Sequence, residues 1–191
     1  DWQEGDLKPI LSGSHTTTGG TFFGGLSYVG TMTRGDGDIA EFTSSSSEGG
    51  ESELMYLGWE SDMLFSALGE DAIEISVGEQ EFAIGDGFLI MDGAFDFQEG
   101  AYWLAPHRSF DQTAILKLNT QPVRADIFYL ESDDDYGNTE LYGLNVEYVN
   151  DAGVIGATWM QVTDVNAGGY ENRDGMDVFS IRAQGTPLHS L

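Results

Sequence analysis

Cysteine is missing from this chain of 191 residues, which excludes disulfide bridges and thiolate metal sites. Basic side chains are scarce: seven lysines and arginines face 33 aspartates and glutamates, a formal net charge of −26. That balance excludes a nucleic-acid binder, because neutralising phosphates takes basic patches. It equally disfavours docking on an anionic lipid surface through a polybasic face. It suits surroundings rich in salt or divalent cations, which screen or bridge acidic loops. No apolar run approaches the roughly 18–20 residues of a membrane-spanning helix. No signal-peptide pattern is visible either, so a processed form or an internal piece is expected. Spanning β-strands leave a far weaker trace than helices, so the missing apolar run does not argue for a water-soluble protein.

What is present is glycine, at 26 positions, with 40% hydrophobic and 21% charged residues. These proportions belong to a folded chain rather than a disordered one. One domain over 1–191 is expected.

Side chains alternate clearly in the second half. In 113–119, Ala114, Leu116 and Leu118 oppose Ile115, Lys117 and Asn119. After a turn at 119–122, Val123, Ala125, Ile127 and Tyr129 oppose Arg124, Asp126, Phe128 and Leu130. An acidic loop at 131–138 leads into 140–148, where Tyr142, Leu144, Val146 and Tyr148 share a face. A tight turn at 150–153, a strand at 154–162, a polar loop at 164–175 and a strand at 177–184 complete the series. These segments have the length of strands that cross a bilayer at a tilt. Their connections alternate short and long, as in transmembrane barrels with tight turns on one side and long loops on the other. The first half is noisier. The stretch 21–33 alternates between glycines, 44–51 reads as a low-complexity loop, and 54–60, 63–68, 72–77 and 80–84 read as strands.

The expected fold is therefore all-β: an antiparallel up-and-down transmembrane β-barrel, partial or whole. In lipid every backbone polar group must be paired within the protein, so such a sheet has to close or be completed by neighbouring strands. Its outer face is apolar and its inner face carries charge. Lys117, Arg124, Asp126, Asn145, Glu147 and Arg182 are then expected inside, with Arg108 beside a strand, as pore-lining or solute-binding residues. Cross-strand ion pairs that simply hold the interior together are an equally good account of the same residues. Tyr129, Tyr142, Tyr148, Trp103 and Trp159 are candidates for an aromatic girdle, although any strand favours aromatics.

Enzymatic chemistry finds little support. His15, His107 and His189 are too scattered for a local metal pair. His107 lies near Ser109 and Asp111, but no nucleophile elbow surrounds them. Asp133, Asp134 and Asp135 offer the oxygen ligands that calcium takes, without the spacing of an EF-hand; a solvated acidic loop is the alternative. No other cofactor is expected.

One stretch resembles the alginate-export family of bacterial outer-membrane barrels: 78–82, Gly-Glu-Gln-Glu-Phe; the glycine-rich 85–93; and Phe110-Asp111-Gln112. The run at 125–129 resembles the strand that follows in that family. The resemblance covers about residues 53–163. It implies a large monomeric barrel, longer than this chain, that passes an anionic polysaccharide or related solute through an arginine-rich lumen. Glu79 stands where the family usually has arginine, and Gln112 where it has glycine. With so few basic residues, the transferable expectation is an outer-membrane channel for small polar or anionic solutes, including saccharides. The chain ends at 186–191 without the aromatic-ended strand usual in such barrels, so an incomplete piece is expected. The competing expectation is a secreted acidic β-sandwich that binds carbohydrate through Trp59, Trp103 and Trp159.

Overall fold

A computed structural model describes residues 1–37, 46–93, 100–134, 137–166 and 170–185. Asp135, His189 and the chain end at 186–191 lie outside the described residues.

Alternation produces one antiparallel sheet of ten strands. They are β1 (Trp2–Leu7), β2 (Ile10–Thr17), β3 (Gly20–Gly35), β4 (Ser47–Glu60), β5 (Ile73–Gln80), β6 (Phe110–Asn119), β7 (Val123–Glu131), β8 (Glu140–Asn150), β9 (Gly153–Asp164) and β10 (Asp177–Gly185). β1 and β2 lie end to end along β3, pairing with Gly30–Gly35 and Gly20–Ser27 respectively. Pro9, which has no N–H to give the ladder, falls at the break between them. From β3 onward each strand pairs with the next, ending at β10. The sheet is not closed into a barrel: among the described residues β10 and the β1–β2 strand have no partner on their outer sides. Among the described residues no second sheet faces this one, as a sandwich would require. No helix among them is long and apolar enough to cross a membrane, which has no bearing on strands.

The expected strands of the second half are present as β6 to β10. The first half differs in three places. Residues 47–51, read as loop, extend β4, because their backbones pair with Val29–Thr33 despite a sequence of serine, glycine and glutamate. Residues 63–68, read as a strand, form turns; the connection 61–72 folds back on itself, with Leu64 N–H on Ser61 O and Leu68 N–H on Phe65 O. β5 stops at Gln80, so 81–84 are not strand. The connections at 18–19, 120–122 and 151–152 are tight. The connection 61–72 shares their end of the sheet and is long, which interrupts the expected parity.

The two faces of the sheet are unlike. On β8, Tyr142, Leu144, Val146 and Tyr148 are exposed, while Gly143 and Asn145 are buried and Glu147 is half-buried. On β3, Phe22, Leu26, Tyr28 and Met32 are exposed while Thr21, Ser27, Thr31 and Thr33 are buried. The open face is thus apolar, and the covered face combines buried polar side chains with an apolar cluster. What covers that face is the described part, 81–93 and 100–109, of the 81–109 connection. Phe82, Ile84 and Ile90 pack on Phe110, Ile115, Phe128, Leu130 and Met160, with the rings of Phe82 and Phe128 5.3 Å apart. Further along, Ala101 N–H donates to Thr33 Oγ1 at 3.0 Å and Trp103 N–H to Glu4 Oε2 at 3.0 Å. One connection therefore touches β6 through β9 and also β1 and β3. A Cβ on Gly85 would lie 2.7 Å from Arg182 Nε of β10, so a glycine is needed where the segment crosses that guanidinium.

Candidate functional site: the covered face and its acidic end

Six of the seven side chains expected inside do lie on the covered face. Arg182 of β10 reaches across β9 to β8. Its Nη1 donates to Thr158 Oγ1 at 3.1 Å and its Nη2 to Asn145 Oδ1 at 3.0 Å, with Glu147 paired to the same guanidinium. Gly156 makes this reach possible, since a Cβ there would meet Arg182 Cζ at 2.7 Å. Asn145, only 1% exposed, also donates to Asp126 Oδ2 at 2.7 Å and accepts from Thr158 Oγ1 at 3.0 Å. Arg124 Nε lies 3.9 Å from Glu147 Oε2. Lys117 Nζ donates to Glu74 Oε1 at 2.8 Å, directly across the β5–β6 ladder. Arg108 is separate. It belongs to the 81–109 connection, is exposed, and turns its Nε to Ala105 O at 3.3 Å.

Each of these basic residues on the covered face has an acidic partner. The network joins β5 through β10 and satisfies buried charge that would otherwise be costly. It stands toward the tight-turn end of the sheet, since Lys117 and Arg124 flank the 120–122 turn and Glu147 precedes the 151–152 turn.

The opposite end, where the long connections emerge, is acidic. A cavity of about 420 Å³ is lined there by Glu51, Ser52, Glu79, His107, Asp111, Gln112, Asp133 and Asp134. Here the structure assembles what the linear sequence scatters. A register shift between Ser27 and Tyr28 leaves Glu53 opposite no residue of β3, and this fully buried carboxylate pairs with Lys8. It also accepts the Arg108 N–H at 3.3 Å. His107, 2% exposed, hydrogen-bonds Glu51 through Nδ1, and its Nε2 lies 3.7 Å from Glu53 Oε2. Burial opposes the charged imidazole, but the Glu51 hydrogen bond and the charges of Glu51, Glu53 and Asp133 outweigh it, holding His107 above its ordinary pKa. The His107 ring thus clamps the end of the 81–109 connection to β4.

Ligand atoms of Glu51, His107 and Asp133 lie within 4.8 Å of one another, as do those of Glu60, Asp62 and Asp71 at the other end of the sheet. Of the expected calcium run, Asp133 and Asp134 line the acidic cavity and Asp135 lies outside the described residues. Sequence separation hid His107 and Glu51 as companions of Asp133, because they come from three different connections and strands.

Ser109 Oγ lies 3.2 Å from His107 Nε2, and His107 Nδ1 meets Glu51, the hydrogen-bond order of a nucleophilic triad. Ser109 is 0% exposed, however, so no substrate carbonyl reaches its oxygen in this arrangement. The relay as it stands holds loop to strand.

The open face carries aromatics on several strands. Phe22 and Trp59 are cross-strand partners, as are Tyr129 and Tyr142, and Trp159 lies in register with Leu144 and Phe179. Tyr142 and Trp159 meet edge to face at 5.7 Å, and Trp159 Nε1 donates to Asp177 Oδ1 at 3.0 Å. Leu26, Leu57, Val77, Ile127, Leu144 and Val146 stand exposed among them. Trp103, expected with these aromatics, lies instead in the 81–109 connection.

No model of a known protein family and no curated protein matches the chain.

Proposed function

We propose that this chain forms part of an outer-membrane β-barrel channel for the passive passage of small polar solutes, saccharides included. The observation that carries the reading is the open face. Leucines, valines and tyrosines stand exposed there, while Asn145, hydroxyls and ion pairs are buried beside the apolar cluster on the other side. A hydrocarbon solvent makes that distribution favourable; water does not. In this reading the outer sides of β10 and β1–β2 are paired by further strands, as unpaired backbone in lipid costs several kcal/mol per group. The alginate-export resemblance of 78–93 and 110–112 points to the same class of protein.

Fractionation tests it. Cells producing the full reading frame are lysed without detergent, and the envelope is floated on a density gradient. The protein should rise with outer-membrane lipid and leave it only in detergent. Recovery in the soluble fraction ends the channel reading.

A further inference from the structure

Three carboxylates meet where the 61–72 connection leaves and rejoins the sheet. Glu60 ends β4, Asp62 lies two residues on, and Asp71 stands shortly before β5. Asp71 N–H donates to Asp62 O at 3.0 Å, which brings the two ends of the connection together. One carboxylate oxygen from each of Glu60, Asp62 and Asp71 then lies within 4.8 Å of the other two, and all three residues are half-buried. Like charges so close repel one another unless a cation stands among them. No basic side chain supplies it. Lys117 of β6 is turned to Glu74, and among the described residues none of the other ion pairs includes these three acids.

A second observation is independent of that spacing. Asp71 Oδ1 is buried from solvent and has no hydrogen-bond partner, whereas Asp62 Oδ2 accepts from Thr21 Oγ1 at 2.9 Å. Buried polar atoms are nearly always paired, and an ionised oxygen left alone is costlier than a neutral one. A bare metal ion is smaller than a water molecule and can meet such an oxygen from within the cluster.

We propose that Glu60, Asp62 and Asp71 form a calcium site that ties the end of β4 to the start of β5. Calcium binds oxygens at about 2.3–2.6 Å, so two of its ligands stand up to roughly 5 Å apart. The observed spacing lies within that reach. Magnesium, at about 2.0–2.1 Å, holds its ligands no more than roughly 4 Å apart and gives up its waters reluctantly. The half-buried setting leaves room for the waters that complete a calcium shell. This site is separate from the 133–135 run expected from the sequence, and it does not depend on the channel reading.

The test is calorimetric titration of calcium chloride into the metal-free, full-length protein in detergent. Potassium chloride at about 0.3 M limits diffuse attraction to the acidic chain to roughly 6 Å. One saturable calcium per chain is expected, at least about tenfold tighter than magnesium. Asp71→Asn and Glu60→Gln should each weaken it by at least about tenfold. Glu70→Gln, at an exposed acid of the same connection, should change it by less than about twofold, and so should Asp133→Asn. Equal losses in Asp71→Asn and Glu70→Gln would mean a diffuse counter-ion only and overturn the proposal. Binding that is lost with Asp133→Asn and kept in Asp71→Asn overturns it, as does the absence of saturable binding. Should the acid variants fail to fold, terbium luminescence excited through tryptophan carries the same test. The signal should fall with Trp59→Phe, next to Glu60 in the chain, and persist with Trp159→Phe; the converse overturns the site.

Discussion

Leu144→Lys probes the solvent of the open face directly. Leu144 is 40% exposed, lies in register with Ile127 and Trp159, and sits between Tyr142 and Tyr148 on the same face of β8. At about 3.4 Å per residue it is roughly 7 Å along the strand from one tyrosine and roughly 14 Å from the other. A lysine there enters the hydrocarbon, where a charge near the bilayer midplane costs about 2–4 kcal/mol. Val123→Lys is the matched control. Val123 is also exposed, but it opposes Tyr148 beside the 120–122 turn, where the same charge costs about 0–1 kcal/mol. The assay is urea unfolding of each variant from phospholipid vesicles, followed by tryptophan fluorescence. A difference of about 2–3 kcal/mol between the two positions is expected. In water both lysines would simply project into solvent. A difference below about 0.5 kcal/mol therefore refutes the hydrocarbon-facing assignment.

Two other outcomes follow from the covered face. Arg182→Met removes the partner of Glu147 and two of the donors that satisfy Asn145 and Thr158, and should destabilise the sheet by about 3 kcal/mol. Adding Glu147→Leu should recover much of that loss in the same unfolding assay; no recovery would show that packing rather than charge is at stake. His107 is held above its ordinary pKa of about 6.5, so its stabilising charge is complete below that value and is lost as pH rises through the folded one. Protease cleavage within the 81–109 connection should accelerate as pH rises from about 6.5 through the raised folded value, and His107→Gln should remove that dependence. A pH profile identical in both proteins would contradict the clamp.

Much of the sheet is legible without coordinates because a strand writes its own faces: side chains alternate with a period of two wherever one face meets an apolar medium and the other a polar one. That is why Ala125, Ile127 and Tyr129 could be separated from Arg124, Asp126 and Phe128, and why Lys117, Asn145, Glu147 and Arg182 could be placed on one side. The same local rule fails where pairing decides instead of pattern. Residues 47–51 have almost no strand character and are strand because Val29–Thr33 offer them a ladder. Residues 63–68 are apolar enough to be a strand and find no partner.

The amino-acid order by itself determined the antiparallel meander of β6 to β10, the apolar and polar rows, and the overwhelming negative charge, since each is a property of near neighbours or of composition. Tertiary structure alone decided that the 81–109 connection crosses the covered face, that Phe128 and Leu130 pack beneath it, and that His107 meets Glu51 and Asp133. Those contacts join residues tens of positions apart through a segment with no repeating period. Only closing the intervening loops brings them together.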